Sequence, residues 1–592
     1  MSDNDRIVSW PRRVVRGLLA AVLAGLAIMP GGAALAGSIP GGFLSQPTGR
    51  SSCINDEGAS HCLQGRGFGS SFGITIDPSG QHAYATSFSQ PNGAGHSLGT
   101  LAVLDRFPSA ASLLQSGNPA SCASTGGLDN CVAGRSLLGA LTSAVTPDGK
   151  NVYVATQNGV ASFSRDPDTG RVTQLVGLAG CLNEDGNDGC QPARMVQDAS
   201  GVVVSPDGRH VYVSAYGPSP IRDPLKPTRS GVAVFDRDAS TGDLTQLPIQ
   251  HGCVSDDGAS GCSTASGLLG ASSLALSPDG ATLYVGAIRL SDRGEQSGAV
   301  VALAVDQATG ALTPIIGRGG CLAQGPVADC EQGRGMLGIT SVIAPDNKTV
   351  YAVGNFSSSV VLLRRATNGR IFQPSTGTDG ADGCTSATGA DGCATAPSLV
   401  GARSAVASSD GFNLYVAGGS TVSAFLRSDR GRLVQLRGRF GCISQGGNGD
   451  TTDSRCFTGH GLIGTQSLAI DPLGRNVYVA TSGSFGASAP GGGVVTLTRN
   501  ARPAQLTITA RLLTASCRAK QFVVDLRASS PLQVQLSAKI DGRSAGRLPS
   551  GSSLRLTIQA SAYKPGRHRI VATARDITGR VRNTSTSFRR CR

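Results

Sequence analysis

The chain has 592 residues and a net charge of +13, and this length allows more than one domain. Its 16 cysteines, an even number, indicate an oxidising compartment. Only seven histidines and no Cys-x-x-Cys pair are present, so we expect neither a metal nor a cofactor. The single tryptophan, Trp10, lies within residues 1–36, which are interpreted below as a signal peptide. The mature chain would then lack the side chain that stacks best on sugars and bases, which argues against sugar binding and against specific nucleic-acid recognition.

Residues 1–36 have the features of a secretory signal peptide. Arginines precede the apolar run 17–29, and Ala-Leu-Ala at 34–36 has the small residues that are typical of a signal-peptide cleavage site. A retained membrane anchor is the alternative, but Pro-Gly-Gly at 30–32 breaks the apolar run. No later stretch is long and apolar enough to span a bilayer. We therefore expect a secreted or cell-surface-associated protein with no transmembrane segment in the mature chain.

Residues 201–252 show the unit from which most of the chain is built. Four short apolar runs follow one another, with a Ser-Pro-Asp-Gly turn after the first and a Thr-Gly turn after the third. Four strands joined in this way form one antiparallel sheet of the size of a propeller blade. The unit recurs seven times, and its second run carries a tyrosine that we expect to pack between blades. These tyrosines are Tyr84, Tyr153, Tyr212, Tyr284, Tyr351, Tyr415 and Tyr478.

The last strand of the unit also occurs once before the first unit, as Gly-Phe-Leu-Ser-Gln at 42–46. Because no blade precedes it, this strand must complete the last blade by pairing with the strand 493–498. That pairing closes the circle and leaves no free edges. The sequence therefore predicts an all-β chain, with a seven-bladed β-propeller over 37–504 that is closed by an N-terminal strand.

The repeated pattern SPDG-x-x-VYV, followed by GVAVFDRD-x-x-TG-x-L, resembles the YVTN-type propeller repeats and the seven-bladed propeller lactonase family. The resemblance covers roughly residues 38–500 and implies the propeller fold. It also implies lactone hydrolysis as one function, although such repeats occur in noncatalytic surface proteins too. No catalytic residue of that family maps onto this chain, so the catalytic residues stay unknown.

Fourteen cysteines form seven local pairs, six of them nine residues apart, and this spacing predicts one disulfide in each blade. Each would close a short loop and contribute about 2–3 kcal/mol in the chain-entropy model. The last two cysteines would tie the first and last strands of a C-terminal domain. The predicted bonds are Cys53–Cys62, Cys122–Cys131, Cys181–Cys190, Cys253–Cys262, Cys321–Cys330, Cys384–Cys393, Cys442–Cys456 and Cys517–Cys591.

Residues 505–592 lack the repeat and hold alternating strands. The stretch YKPGRHRI at 563–570 resembles the closing hairpin of bacterial immunoglobulin-like domains, which implies a small β-sandwich. This region has 17 Lys and Arg against three Asp, a net charge of +14, whereas the propeller is near −3. The excess of positive charge in this region favours attachment to a cell-wall polymer or another polyanion. An arginine-rich composition of the whole chain is the alternative, but it leaves the balanced propeller unexplained.

Basic residues recur four positions after the second cysteine of the blades, directly before the first strand of the next unit. We expect them to surround one mouth of the central channel, where arginine suits the recognition of carboxylate or phosphate. The alternative is that each arginine pairs with an acid of the adjacent Cys loop. These candidate ligand-binding residues are Arg66, Arg135, Arg194, Arg334 and His460.

Two functions stay open from the sequence. The first is a noncatalytic propeller that binds a protein partner or an anionic small ligand at the channel mouth, with a basic domain for polyanions. The second is a lactonase-like hydrolase that acts at the same mouth. A general base near the channel would discriminate between them, and His460 and the acids of the Cys loops are the visible candidates. We expect a monomer.

Overall fold

The structure is a computed structural model that describes residues 41–591, apart from thirteen internal stretches. The predicted signal peptide, 1–36, lies outside the described residues, and the predicted boundary at 504/505 falls in one of the gaps. No helix in the described ranges is long and apolar enough to cross a membrane. The gaps are 89–98, 108–110, 218–228, 291–294, 326, 375–382, 447–455, 484–490, 501–505, 515, 530–533, 549–552 and 577–580.

Seven six-stranded sheets share one topology, in which three long antiparallel strands pair in sequence order. We number the sheets as blades 1–7 in the order of their first strands. The first strands are Ser71–Ile76, Thr142–Val145, Ala199–Val204, Ala271–Leu276, Ile339–Ile343, Ala402–Ala407 and Thr465–Ile470. The second strands are His82–Ser87, Asn151–Thr156, His210–Ala215, Thr282–Leu290, Thr349–Gly354, Asn413–Gly418 and Asn476–Gly483. The third strands are Thr100–Phe107, Gly159–Arg165, Gly231–Arg237, Gln296–Val305, Ser359–Arg365, Thr421–Arg427 and Gly491–Arg499.

Three short strands form the outer edge of each blade. The fourth strands pair with one end of the third strand and are Ser112–Leu114, Val172–Gln174, Leu244–Gln246, Leu312–Pro314, Ile371–Phe372, Leu433–Gln435 and Leu44–Ser45. The fifth strands begin at a cysteine and are Cys122–Thr125, Cys181–Asn183, Cys253–Ser255, Cys321–Gln324, Cys384–Ser386, Cys442–Gln445 and Cys53–Asn55. The sixth strands run parallel to the fifth and are Val132–Gly134, Gln191–Pro192, Ser263–Thr264, Glu331–Gln332, Ala394–Thr395, Phe457–Gly459 and Leu63–Gln64.

The seven blades form a closed ring. Each first strand contacts the first strand of the next blade, and the first strand of blade 7 contacts that of blade 1. The outer strands of blade 7 come from the start of the described chain. Leu44 lies opposite Arg499 and Ser45 opposite Thr498 in an antiparallel pairing, so the predicted closure by residues 42–46 is confirmed. The chain is thus an all-β, seven-bladed propeller closed by an N-terminal strand.

The second strands hold neighbouring blades together. These strands are buried along nearly their whole length because both faces of the sheet pack against other blades. All seven predicted tyrosines are fully buried, which confirms their expected position between blades. The Tyr153 hydroxyl donates a hydrogen bond to the carbonyl oxygen of Gly242 in the next blade, at 2.8 Å. The Tyr415 hydroxyl reaches Gly42 in the same way, which ties the closing strand to blade 6.

The glycine of the Thr-Gly turn is required by this close contact. Gly242 has φ of 81°, and a Cβ atom there would lie 2.0 Å from the Asn151 side chain of the previous blade. An L-residue would therefore be strained and would also clash.

All eight predicted disulfides are present, and no cysteine is free. In each blade the bond joins the start of the fifth strand to the residue just before the sixth, so it fixes the loop between two parallel strands. Sixteen paired cysteines place the folding of the chain in an oxidising compartment outside the cytoplasm.

The C-terminal region forms two sheets that share a hydrophobic core. Phe522, Val524, Ile540, Ile570 and Phe588 are all buried in this core. Kinship with immunoglobulin-like domains stays a prediction. The three-stranded sheet consists of Thr507–Leu512, Gln521–Ser529 and Ser553–Gln559, and the four-stranded sheet of Val534–Ile540, Arg543–Leu548, Gly566–Asp576 and Val581–Arg590.

The closing strand can be tested through Leu44, which is 2% exposed and packs in the core shared by blades 6 and 7. Leu44→Ala should lower the free energy of unfolding by about 2–5 kcal/mol, because it leaves a cavity in that core. Val176→Ala is the control, since Val176 is 88% exposed, and it should change stability by less than about 0.5 kcal/mol. Urea unfolding of both variants measures the difference. Equal midpoints would contradict ring closure by this strand.

Candidate functional site

The candidate site is the central channel, whose wall is formed by the first strands of the blades. A cavity of about 280 Å³ lies in it, and residues at the starts of all seven first strands line it. Ligand pockets are typically concave and have a volume of about 300–1,000 Å³, so this cavity is slightly smaller than the lower limit of that range.

In six of the seven blades a β-bulge aims one side chain into this cavity. In six of the seven first strands the register with the second strand shifts at the second residue, which leaves that residue unpaired. Such bulges re-aim a side chain and recur next to functional sites. In blade 2 the equivalent residue precedes the strand. We call these seven residues the bulge ring, and they are Phe72, Leu141, Ser200, Ser272, Thr340, Arg403 and Gln466.

Three hydroxyl groups of the bulge ring connect neighbouring blades. The Ser200 hydroxyl donates to the carbonyl oxygen of Ala271 at 2.9 Å. The Ser272 hydroxyl donates to Ile339, and the Thr340 hydroxyl donates to the main-chain carbonyl of Arg403, both at 2.7 Å. These three side chains therefore hold the ring together where the channel begins.

Arg403 differs from the rest of the bulge ring because it brings a charge into the channel. Its side chain is exposed to the cavity, yet the surrounding wall desolvates it enough to lower its pKa. Among the described residues, no carboxylate forms an ion pair with it. A partly desolvated cation without a counter-charge is costly, and an anionic ligand would remove that cost.

The predicted basic residues lie elsewhere. None of the five is among the residues that line the cavity. Four of them donate hydrogen bonds to main-chain carbonyl groups in the Cys loop of the next blade, rather than to the acids that the alternative interpretation expected. Ligand binding by these residues stays a prediction. The contacts are Arg66 to Asn130, Arg135 to Gly189, Arg194 to Ser260 and Arg334 to Gly392, while the main-chain N–H of His460 donates to the Gln46 side chain.

Sequence reasoning missed Arg403, although one signal was available. Arg403 is the only charged residue in the seven first strands, which apart from Phe72 and Gln466 otherwise hold small, hydroxyl-bearing and aliphatic side chains. A charge in a strand that lines a narrow channel has to face the channel, because the other face is packed in the blade.

A second set of charged contacts joins the blades at the turns between first and second strands. In six blades an arginine at or next to the end of the third strand reaches an aspartate in the turn of the preceding blade. These junction pairs are Arg106–Asp471, Arg165–Asp77, Arg237–Asp148, Arg365–Asp279, Arg427–Asp346 and Arg499–Asp410.

The pair in blades 2 and 3 shows the geometry of a junction. Arg237 Nη2 lies 2.8 Å from Asp148 Oδ2, and Arg237 Nη1 donates to the carbonyl oxygen of Gly208 at 3.0 Å. The same guanidinium donates to the Asn151 side chain. The planar guanidinium thus donates hydrogen bonds to three acceptor groups at the blade boundary, an arrangement that suits arginine better than lysine.

The most buried junction aspartate is Asp77, which is 1% exposed. Burial by itself raises its pKa, but hydrogen bonds from His82 and Ser79 and the charge of Arg165 outweigh burial. The pKa of Asp77 therefore lies well below its usual range. The carboxylate is the stable form in the folded protein at neutral pH.

Among the comparisons with known proteins, only the one with solved structures found similar chains. No family model and no curated protein matches the chain. A periplasmic gluconolactonase of Pseudomonas aeruginosa is 17% identical, with 74% of this chain and 96% of that chain covered, at a TM-score of 0.36. A putative 6-phosphogluconolactonase of Bacteroides uniformis is 15% identical, with 67% and 89% covered, at a TM-score of 0.37. A functionally unknown protein from Desulfotomaculum acetoxidans is 13% identical, with 73% and 98% covered, at a TM-score of 0.36. At these values the likeness carries no functional argument.

Asp77→Asn tests the junction pairs. The change leaves the Arg165 guanidinium buried without a counter-charge and should lower the free energy of unfolding by about 3–5 kcal/mol. Asp168→Asn, at an exposed turn, is the control with the same change of charge. The pH dependence gives a second measure. Because the pKa of Asp77 is depressed on folding, its contribution is present above the unfolded value of about 3.9 and is lost as pH falls below it.

Urea unfolding should therefore show that Asp77→Asn loses less stability than the parent protein when the pH is lowered from neutral to pH 3. An equal loss of stability in both proteins on acidification would contradict the role of this carboxylate.

Proposed function

We propose that the protein is an extracytoplasmic, noncatalytic binding protein. Its C-terminal region attaches to anionic polymers, and the channel of its propeller binds a small anion. The observation that carries this proposal is the charge on the outer face of the four-stranded C-terminal sheet. Six exposed cations share that face, and we call them the basic face: Lys539, Arg547, Arg567, Arg569, Arg575 and Arg589.

The basic face is not explained by the stability of the sheet. Arg567 lies directly opposite Arg589 on the neighbouring strand, and like charges in this position destabilise a sheet. Among the described residues, no acid pairs with any of the six cations. The surface potential of such a face attracts polyanions over a distance of about one Debye length.

The outer face of the three-stranded sheet is different and provides an internal comparison. There the Asp525 carboxylate lies 2.9 Å from Arg527 Nε and 3.9 Å from Arg555 Nε, so the two arginines share a counter-charge. Both sheets belong to the same region, yet of their two outer faces only that of the three-stranded sheet holds ion pairs among the described residues, and none of the six cations of the basic face has one.

A pair of double variants of the full chain tests the attachment. Arg567→Gln with Arg589→Gln removes two charges from the basic face and should weaken binding to long-chain polyphosphate by about tenfold or more. Arg527→Gln with Arg555→Gln changes the net charge equally and should have a clearly smaller effect. Fluorescence anisotropy with labelled polyphosphate measures both affinities.

Salt dependence separates surface attraction from other contacts. Binding should weaken between 0.01 M and 0.15 M salt, as the Debye length falls from about 30 Å to about 8 Å. Equal losses in the two double variants would show that net charge alone acts, and this outcome would sink the assignment to the basic face.

The proposed anion site in the channel rests on Arg403. Its guanidinium can form paired hydrogen bonds with a carboxylate or a phosphate, and Phe72 offers an apolar surface on the same ring. The hydroxyl groups of Ser200, Ser272 and Thr340 already donate to the main chain, but their oxygen atoms can still accept from a ligand.

Calorimetric titration with citrate and with inorganic phosphate tests this site. Arg403→Gln should weaken the binding of at least one anion by tenfold or more, which corresponds to a charge-assisted hydrogen bond of about 1.5–3 kcal/mol. Arg430→Gln is the matched control, because Arg430 is exposed on an outer turn of the same blade. No binding in the parent, or equal binding in the parent and Arg403→Gln, would end the proposal.

Lactone hydrolysis is the second candidate at the same site. Arg403 can stabilise the negative charge that develops on a lactone oxygen during ring opening. The described lining of the cavity includes no carboxylate and no histidine that could act as a general base, and for this reason we favour binding. Hydrolysis of an aldonolactone by the parent, with loss of that activity in Arg403→Gln, would favour the hydrolase instead.

A further inference from the structure

The junction between blades 3 and 4 is the one that lacks its arginine. Val305 ends the third strand of blade 4, where each of the other six blades has an arginine at or next to this position. A valine has no donor for the Asp207 carboxylate of the preceding blade, and the Gln307 side chain, whose amide nitrogen lies beside Gly280, fills only part of the space that a guanidinium fills elsewhere. A cavity of about 150 Å³ lies there, lined by Asp207, His210, Tyr212, Gly280 and Val305, among others.

The acceptors that an arginine would contact are still present in this cavity. Asp207 stands where Asp148 stands in the neighbouring junction. Its Oδ1 accepts hydrogen bonds from Ser205 and from the main-chain N–H of Arg209, but no described group donates to Oδ2. In the intact junction the equivalent Asp148 Oδ2 lies 2.8 Å from an arginine. Gly280 supplies the main-chain carbonyl that matches that of Gly208.

His210 is the second and independent indication of a missing partner. Its side chain is buried, with the residue 2% exposed, and Nδ1 lies 2.9 Å from Asp236 Oδ1. In the neutral imidazole that donates from Nδ1 to that carboxylate, Nε2 is an acceptor. Nε2 is buried and has no hydrogen-bond partner among the described residues, and His210 belongs to the cavity lining. A buried acceptor in this state costs free energy unless a ligand satisfies it.

The junction between blades 1 and 2 shows what this histidine lacks. His82 occupies the same position as His210, and one nitrogen of its ring lies 2.9 Å from Arg165 Nη2. His82 Nε2 faces Asp105, as His210 Nδ1 faces Asp236. The two histidines thus each face a carboxylate of the third strand, but His210 lacks the arginine and also the turn carboxylate of Asp77, whose position Ser205 takes.

No described cation near the open junction replaces the missing one. Arg209 Nη2 donates to the carbonyl oxygen of Ala308 at 3.3 Å, outside the cavity lining. The Gln307 side chain donates to the main-chain carbonyl of Asp279, and the Asp279 carboxylate already pairs with Arg365 of blade 5.

We propose that the cavity between blades 3 and 4 binds the guanidinium group of a ligand. The group would occupy the position of the missing arginine, with one N–H pair toward Asp207 Oδ2 and His210 Nε2 and the other toward the carbonyl oxygen of Gly280. In all six intact junctions a carboxylate and a main-chain carbonyl accept from one guanidinium, and in the junction between blades 1 and 2 the His82 ring nitrogen is a third neighbour. A free guanidinium compound and an arginine side chain of another chain share this chemistry.

Calorimetric titration of the full chain with L-arginine and with methylguanidinium tests the site. We expect a dissociation constant on the order of 1 mM, as for a small ligand held by a few charged hydrogen bonds. Val305→Arg supplies the missing side chain and should abolish binding of both probes while raising the unfolding temperature. L-lysine should bind at least tenfold more weakly, because an ammonium group cannot meet the acceptors in one plane.

Asp207→Asn keeps the proposal testable if Val305→Arg does not fold. It should weaken L-arginine binding by at least tenfold, and Asp168→Asn, an exposed acid on another blade, should leave it unchanged. A glycine-flanked arginine peptide separates the two sources. Tighter binding of the peptide than of methylguanidinium favours a protein partner, and the reverse favours a small molecule. No binding in the parent, equal binding of L-lysine, or unchanged binding in Asp207→Asn or in a folded Val305→Arg protein would overturn the proposal.

Discussion

The ring can close only because a strand from the start of the described chain completes the blade at the end of the propeller. Main-chain pairing places Leu44 opposite Arg499, and the Tyr415 hydroxyl anchors the same strand through Gly42. A blade that lacked this strand would expose an unpaired edge and half of a shared core. Closure fixes the distance between opposite first strands, and so it also determines the channel and the blade junctions.

Function in such a ring is most easily recognised where a repeated position departs from its pattern. Three hydroxyl side chains of the bulge ring join blades, whereas Arg403 brings into the same ring a cation that pairs with no described carboxylate. Arginines join six blade junctions, and Val305 leaves the seventh open above an unsatisfied histidine. In both cases the neighbouring repeats act as controls, because they show what the same backbone does when the contact is complete.

Much of the fold can be predicted from the sequence, because turns, strands and cysteines repeat in one register. The spacing predicts the blades, the disulfides and the closing strand, and all of these are confirmed. The site is harder to predict for a physical reason. A β-bulge decides which side chain enters the channel, and a shift of one residue moves a side chain to the other face. Register alone therefore pointed to Arg66 and its equivalents, whose side chains contact the next Cys loop. The open junction depends on a contact with a different blade that the other repeats make and Val305 does not, which no pattern within one unit reveals.

Hydrogen exchange of the intact protein, measured by mass spectrometry of its peptides, tests the closed ring most directly. The account predicts that residues 42–46 exchange as slowly as the equivalent fourth strands of the other blades, such as Val172–Gln174, because their main-chain groups are paired in the same way. Exchange of 42–46 at the rate of an unfolded chain, with the other fourth strands still protected, would contradict it.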